Sequence, residues 1–293
     1  MGLRPSELIL NGDGSIYHLN LLPQDIGQFI ITVGDPERVH EVSKYFDHIE
    51  LKKGKREFHA HTGMLGNKRV TVISTGIGTD NMDIVLNELD ALVNVDFDRR
   101  ERKPVHTPLT IIRIGTSGAI QPNISTDSFV MAEYAIGLDA LLHFYESDAV
   151  REHTIEEILV QQLDWPKDQS RPYVVKCDME LARNMASQEV QLGASVTNAG
   201  FYGPQGRTIR LNNKLPHLNK ALTAFQHKDL RLTNLEMETS GIYGLAKLLG
   251  HRAVSLNAIL ANRVTGEFSK TPHKTVENLI TWTLETLRGL PSQ

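Results

Sequence analysis

The chain has 293 residues, and its 40% hydrophobic and 23% charged content is typical of a globular protein with a substantial core. A formal net charge of -4 argues against a nucleic-acid partner, so a small anionic ligand would need a local group of arginines. The chain has a single cysteine, no apolar run near the roughly 20 residues that cross a bilayer, and no secretory signal layout, which together predict a cytoplasmic protein without membrane contact or an internal disulfide.

Short apolar runs alternate with amphipathic stretches along the chain, which predicts strands alternating with helices. In chain order the predicted elements are a strand at 29–33, a helix at 37–46, a strand at 69–75, a helix at 82–93, strands at 109–114, 128–134 and 194–198, a helix at 238–249, a strand at 251–261 and a helix at 275–288. This alternation predicts a single α/β domain over residues 1–293. Two polar stretches, 96–108 and 147–172, are predicted to be surface insertions in that domain.

Three of the predicted strands end in glycine-containing segments, at Gly34, at 76–78 and at 115–118. Ligands of α/β proteins gather at the carboxyl ends of strands, where glycine lets the backbone approach them closely. A glycine after a strand is also the ordinary sign of a tight turn. The segment 76–81 lacks the third glycine of the dinucleotide fingerprint, and no phosphate-binding P-loop pattern occurs, so neither a nicotinamide enzyme nor a nucleoside triphosphatase is supported.

Two arginines accompany these glycines. Arg38 lies four residues after Gly34, and Arg113 stands at the end of a predicted strand, directly before 115–118. The planar guanidinium suits bidentate binding of phosphate, and Thr116 can add a hydroxyl and an N–H group. The alternative is a strand-end arginine that pairs with a carboxylate. These residues therefore suggest an anion site, without excluding a structural role for Arg113.

Six segments, in this order along the chain, resemble those of the nucleoside phosphorylase-I family, and most closely its uridine phosphorylases. They are 31–39 (ITVGDPERV), 56–58 (REF), 74–78 (STGIG), 113–122 (RIGTSGAIQP), 201–207 (FYGPQGR) and 236–240 (EMETS). The resemblance implies a three-layer α/β/α sandwich around a twisted mixed sheet. It also implies reversible phosphorolysis, in which a nucleoside and inorganic phosphate give a free base and (deoxy)ribose 1-phosphate. No cofactor and no metal are implied, and phosphate is a co-substrate.

The resemblance also implies roles for individual residues at the phosphate. Gly34, Arg38, Arg113 and Thr116 match the phosphate ligands of one subunit. Arg56 matches an arginine that reaches phosphate from a neighbouring subunit. His18 matches a histidine that reaches the sugar 5′-hydroxyl across the same interface. The implied assembly is therefore a homo-oligomer, at least a dimer, with a shared active site.

Further matches concern the nucleoside. Glu238 matches the ligand of the 2′- and 3′-hydroxyls, Met237 packs on the ribose and Glu236 assists, although glutamates are also common where a helix begins. The base-binding matches are Phe201, Gln205 and Arg207, which by themselves also fit a surface loop. A phenylalanine can stack on a pyrimidine, a glutamine matches its N3–H and O2 edge, and an arginine donates toward a carbonyl. The residues that would carry catalysis are Arg38, Arg113, Thr116, Gln205, Arg207 and Glu238.

The choice of base rests partly on Asn262. Members of the family that act on purines place an aspartate in the corresponding stretch, as an acid for the base nitrogen N7, and asparagine cannot supply that proton. We therefore expect a pyrimidine nucleoside, with uridine favoured. The alternatives are a purine nucleoside phosphorylase or nucleosidase of the same fold, and a nucleoside-binding protein without turnover.

Overall fold

One large mixed β-sheet organises the backbone in a computed structural model that describes residues 2–291. Met1, Ser292 and Gln293, at the ends of the predicted domain, lie outside the described residues. The strands are β1 (Phe29–Val33), β2 (His48–Lys55), β3 (Phe58–Leu65), β4 (Lys68–Ser74), β5 (Val95–Asp96), β6 (Glu101–Arg102), β7 (Thr110–Ala119), β8 (Phe129–Gly137), β9 (Tyr173–Lys176), β10 (Val190–Thr197), β11 (Gln226–His227), β12 (Leu230–Glu236), β13 (Arg252–Asn262) and β14 (Glu267–Phe268). The helices are α1 (Pro36–Ser43), α2 (Thr79–Asn94), α3 (His153–Gln162), α4 (Met179–Asn184), α5 (Leu218–Ala224), α6 (Thr239–Leu248) and α7 (Pro272–Gly289).

The sheet runs in the order β11-β12-β10-β8-β13-β7-β1-β4-β3-β2, with β14 beside β13 and β9 beside β8. The central strand β1 is parallel to both β4 and β7, and β13 is parallel to β7 but antiparallel to β8. All five residues of β1 are buried, as expected for a parallel strand that is covered on both faces. Helices α1 and α7 pack together, as do α2 and α6. The predicted mixed α/β fold, a large sheet flanked by helices, is confirmed.

The prediction that the third strand ends in a turn at Gly115 is wrong. Strand β7 continues through the segment 115–118 to Ala119, because β13 pairs with it in parallel along its whole length. Near its end, β12 adds an antiparallel pairing to Gly118 and Ala119. The glycines of this segment are therefore part of a strand in the sheet, whereas those at 76–78 do form a turn, which leads directly into α2.

Several elements had no clear sequence signal. Strand β2 reads HIELKKGK, and its residues alternate between exposed and half-buried at the edge of the sheet, where lysines discourage pairing with other chains. Within the stretch 147–172, α3 buries Ile155 and Leu159 in a hydrophobic cluster, so that this stretch contributes to the core as well as to the surface. The stretch 96–108 carries the exposed strand β6, whose pairing partner is β5. None of the described helices is both long and apolar enough to cross a membrane.

Candidate active site

A cavity of about 660 Å³ opens where β1, β4, β7, β12 and β13 end. Such an edge of an α/β sheet is the usual place for a ligand, because the strands end there in loops that expose polar groups. The cavity brings together residues that are far apart in the sequence. Its wall includes the sequence-predicted residues Gly34, Arg38, Arg113, Thr116, Phe201, Gln205, Arg207, Glu236, Met237 and Glu238.

Arg113 forms the floor of one end of this cavity, which we call the anion end and define by Gly34, Arg38, Arg113 and Thr116. Its Nη2 donates to Glu238 Oε2 at 2.5 Å. Burial works against the charge of Arg113, but the two neighbouring carboxylates outweigh burial and raise the pKa of its guanidinium. The carboxylate partner expected of a structural arginine is thus present, and the same side chain also faces the cavity.

A glycine makes room for that guanidinium. A Cβ atom on Gly115 would lie 2.0 Å from Arg113 Nη1 and 2.4 Å from its Cζ, far inside contact distance. The Arg113 side chain therefore runs along β7 towards the end of the strand and lies over Gly115, which has no side chain. On the neighbouring strand, Asn257 Oδ1 accepts a hydrogen bond from Nη1 at 3.0 Å, and Ser255 Oγ lies 3.4 Å from the same nitrogen.

Arg38 supplies the second positive charge of the anion end. It lies in the first turn of α1, where Asp35 caps the helix by accepting from the Glu37 N–H. Within the described residues its guanidinium forms no ion pair, and its buried Nε has no hydrogen-bond partner. Burial lowers the pKa of Arg38, and the nearby Arg113 adds to that effect. An anion between the two guanidinium groups would stabilise the charged form of Arg38, and so offset both its burial and the repulsion from Arg113.

Two carboxylates lie beside the anion end. Glu236 accepts hydrogen bonds from the Glu238 N–H and from the N–H and hydroxyl of Thr239, each at 2.8 Å, and from the Thr197 hydroxyl. Its oxygens thus satisfy the start of α6, as the helix-start interpretation predicts. Glu238 accepts from the Gly78 N–H at 2.8 Å as well as from Arg113. Burial and the negative charge of Glu236 raise the pKa of Glu238 above its ordinary value, although Arg113 opposes the shift.

The other end of the cavity, which we call the base end, is defined by Phe201, Gln205 and Arg207. The Arg207 guanidinium lies 3.7 Å above the Phe201 ring and donates from Nη1 to Gln205 Oε1 and to the Phe201 carbonyl, both at 2.6 Å. Gln205 is buried in a single helical turn, and Arg263 Nη1 donates a hydrogen bond of 2.6 Å to the backbone carbonyl oxygen of Gln205. The amide and the guanidinium are therefore already oriented next to an aromatic ring.

Two predicted residues do not reach the cavity of their own chain. His18 donates its backbone N–H to Glu88, and its Nδ1 lies 2.6 Å from Glu88 Oε1. Arg56 is exposed in the turn between β2 and β3, with a left-handed φ of 56°. Both placements are compatible with residues that serve a neighbouring subunit, and that role stays a prediction.

Asn262 also lies outside the cavity wall. Its Nδ2 donates to the carbonyls of Gln121 and Ile124, and its Oδ1 accepts from the N–H groups of Val264 and Thr265. The side chain is therefore used to hold two turns, and the cavity wall at this point is formed by Leu260 and Ala261 instead. Along the described wall of the cavity, the carboxylic acids are Asp35, Glu236 and Glu238, and none of them lies at the base end.

Three residues of the site were missed from the sequence, namely Ser255, Asn257 and Arg263, whereas Gly78 lies in the glycine segment 76–78 that was selected. Ser255 and Asn257 did carry a signal, since they are polar residues two apart in an otherwise apolar strand and so share one face of it. Nothing local in the sequence shows that this face meets Arg113.

One group of side chains elsewhere has metal-ligand spacing. One ligand atom from each of Asp90, His106 and His251 lies within 4.8 Å of the others. However, His251 Nδ1 accepts a hydrogen bond from the Leu109 N–H, which leaves the proton of a neutral ring on Nε2, and that nitrogen faces Asp90 Oδ1 at 3.4 Å. A metal ligand normally uses the opposite arrangement, with its second ring nitrogen as a donor. The group is better explained as a polar contact between α2 and the start of β13.

Known proteins are similar to this chain in sequence and fold. A family model described as the phosphorylase superfamily matches residues 28–288. The uridine phosphorylase of Thermococcus kodakarensis is 32% identical over 262 residues, covering 89% of this chain and 83% of that protein. The uridine phosphorylase of Haemophilus influenzae is 27% identical over 276 residues, covering 91% and 96%. A solved Trypanosoma brucei nucleoside phosphorylase, described as showing uridine phosphorylase activity, has a TM-score of 0.88 at 27% identity over 97% of this chain and all of the other.

Proposed function

This chain belongs to the phosphorylase superfamily, and we propose that it catalyses the reversible phosphorolysis of a pyrimidine nucleoside, with uridine as the favoured substrate. The products are the free base and a pentose 1-phosphate. The enzyme is thus a nucleoside phosphorylase, a pentosyltransferase, which needs inorganic phosphate as co-substrate and no cofactor or metal.

One observation carries the proposal: one cavity wall brings together the three kinds of group that a nucleoside and phosphate would need. Two guanidinium groups, Arg38 and Arg113, form one end, and Arg38 has no ion-pair partner within the described residues. Beside them is Glu238, whose oxygens each keep a lone pair for a sugar hydroxyl. The other end offers the Phe201 ring and the Gln205 amide.

At the anion end, Arg38 and Arg113 would hold phosphate beneath the sugar, with Thr116 and the Gly34 backbone beside it. A phosphate oxygen forms a bond to C1′ while the bond from C1′ to the base nitrogen breaks. The electron pair of that bond leaves with the base. Holding both reactants in this geometry supplies much of the acceleration, because their translational and rotational entropy is already lost on binding and not in the chemical step. Glu238 would fix the sugar through its 2′- and 3′-hydroxyls, with Met237 packed on the ring and Glu236 holding the Glu238 backbone.

At the base end, negative charge spreads over the carbonyl oxygens of the departing pyrimidine. Arg207 and Gln205 are already oriented by each other and by Arg263, so they would stabilise this charge without reorganising. Phe201 would stack on the ring. A purine leaving group is usually protonated by an acid, and the described wall has no carboxylic acid at this end. The pyrimidine assignment follows from that difference.

The complete site would need a second subunit. Arg56 and His18 lie outside the cavity of their own chain, and we propose that they complete the phosphate and 5′-hydroxyl contacts of a neighbouring copy. The protein would then be at least a homodimer, with inactive monomers. A cytoplasmic location agrees with its one cysteine, the buried Cys177, which is unpaired.

A single assay tests the proposal. Purified protein is given uridine, thymidine or inosine, each with and without phosphate, and release of the base is followed. We expect uracil to be released from uridine only when phosphate is present. Equal release without phosphate would instead identify a nucleosidase, faster turnover of inosine a purine nucleoside phosphorylase, and no turnover of any nucleoside a binding protein.

A further inference from the structure

Asn257 is a fully buried polar residue on β13, a strand in the interior of the sheet. In the register of the two parallel strands, Ser255 of β13 lies opposite Arg113 of β7, and Asn257 lies opposite Gly115. The Arg113 guanidinium lies over Gly115, so the Asn257 side chain meets it from the next strand. Asn257 is fully buried and does not line the cavity, so it contacts the arginine and not the ligand.

The orientation of the Asn257 amide follows from its partner. Oδ1 accepts from Arg113 Nη1 at 3.0 Å, and the reversed amide would bring two donors face to face. Its Nδ2 is then left buried without a hydrogen-bond partner among the described residues. An unsatisfied buried donor lowers stability, and a leucine of similar size would avoid it. What the amide supplies, and leucine does not, is an acceptor for Nη1.

The acceptor is also uncharged, which matters at this place. Arg113 already faces Glu238 at 2.5 Å and Glu236 at 3.5 Å, so two carboxylates share one guanidinium. A third carboxylate would add negative charge next to an incoming phosphate. An apolar side chain would leave Nη1 only the longer, 3.4 Å contact with Ser255 Oγ among the described residues, so the guanidinium would be held less firmly. An amide carbonyl fixes Nη1 without adding charge.

We propose that Asn257 is a positioning residue for phosphate: its side-chain carbonyl holds Arg113 Nη1 over Gly115, so that the remaining N–H groups of Arg113 face the anion end. Asn257 acts through Arg113 alone. This inference rests on the proposed function, because it takes phosphate to be the ligand of the anion end.

The test compares Asn257→Ala and Asn257→Asp with a matched control, Asn94→Ala. Asn94 is also a buried asparagine, but its Nδ2 donates to Asp90 and to the Thr107 carbonyl at the end of α2, away from the cavity. The KM for phosphate and the KM for uridine are measured for each variant, together with binding of inorganic phosphate alone by calorimetry and the Tm.

We expect Asn257→Ala to raise the KM for phosphate by about tenfold, the loss of one hydrogen bond to a charged group, with a smaller change in the KM for uridine. Asn257→Asp keeps the shape and the acceptor but adds a charge, so it should weaken phosphate binding more than alanine does. Asn94→Ala should leave the KM for phosphate unchanged, whatever its Tm.

Two results would overturn the inference. In the first, Asn257→Ala lowers the Tm but binds phosphate like the wild type, which would mean a merely structural role. In the second, Asn257→Asp binds phosphate like the wild type, which would mean that an uncharged acceptor is not required; this nearly isosteric variant decides the matter even if the alanine variant fails to fold. A wild type that neither binds phosphate nor needs it for turnover would refute the proposed function itself, and that result is seen before any variant is made.

Discussion

Strand β7, the end of β1 and the first turn of α1 carry the anion end of the cavity, whereas a loop at its rim carries the base end. Arg113 is 6% exposed on β7, and its partners come from β13 and from the start of α6. At the base end Phe201 is 51% exposed, and Gln205 belongs to one short turn. In the proposed function, phosphate binding, which is common to all substrates, would thus depend on regular secondary structure. The choice of base would depend on a loop that can change without disturbing the sheet.

The largest effect should come from Arg113→Ala. This change removes a proposed phosphate ligand and leaves Glu236 and Glu238 without their buried countercharge. We expect kcat/KM to fall by about 10² to 10³, with a sharply higher phosphate requirement and a lower Tm. Steady-state kinetics with varied phosphate and a thermal melt measure both. Arg288→Ala, which removes a surface pair with Asp47, is the control and should change neither. An unchanged phosphate dependence of Arg113→Ala would remove this residue from the site.

Gly115→Ala should have the next largest effect, although it adds only a methyl group. Its Cβ would lie 2.0 Å from Arg113 Nη1, and the backbone of Gly115 needs no left-handed φ, so the clash with the guanidinium is the main consequence. We expect a loss of kcat/KM of about 10²-fold, because a displaced catalytic group loses its alignment. Gly12→Ala, where a Cβ meets no atom within 4 Å, is the matched control. Full activity of Gly115→Ala would show that the position of the guanidinium is not critical.

Gly115 also shows how far the sequence can predict such a site. An arginine among isoleucines is conspicuous, because a buried charge needs a partner, but this local pattern left a carboxylate and a ligand anion both open as that partner. The other family motifs were needed to favour the anion. The following glycines looked like a turn, since nothing local shows that a strand continues through them. The strand continues because β13 and β12 pair with it, and such pairing is a long-range property. The α/β class, in contrast, follows from local periodicity alone.

The partners of Arg113 illustrate the same limit. Asn257 is 144 residues away in the sequence, and its importance depends on the register of two strands that no local pattern specifies. The base end has a different limit. Gln205 and Arg207 were selected by their resemblance to a family motif, because a Gly/Pro-rich loop by itself predicts only a surface turn. The fold class was therefore more predictable from physical patterns than the site, and the anion end more than the base end.

The pH dependence of uridine binding should reveal the contribution of Glu238, which belongs to neither the anion end nor the base end. In the proposed site the ionised Glu238 accepts both sugar hydroxyls, and protonation would turn one of its oxygens into a donor. Burial and Glu236 raise the pKa of Glu238 above the ordinary 4.5. Uridine binding should therefore weaken as the pH falls, beginning above pH 4.5, with a Kd that rises by up to about tenfold per pH unit below the pKa of Glu238. Calorimetry with uridine and no phosphate avoids the titration of phosphate itself, and circular dichroism confirms that the chain stays folded. A Kd that is constant down to pH 4.5 would contradict this role of Glu238.

The smallest effect should come from Gln205→Ala at the base end. The change leaves one edge of a buried uracil unpaired, and it also frees Arg207 Nη1 from its 2.6 Å bond to Gln205 Oε1. A lost hydrogen bond of this kind costs about 1 kcal/mol or somewhat more, which is roughly a five- to tenfold loss of kcat/KM for uridine. The KM for phosphate should stay constant, because the hydrogen bonds of Gln205 run to Arg207, Asn219 and Arg263, which lie outside the anion end. Gln162→Ala, which removes surface hydrogen bonds to Gln226, is the control. If Gln205→Ala changes the KM for phosphate as much as that for uridine, the two ends do not act separately, and the division of the site between sheet and loop fails.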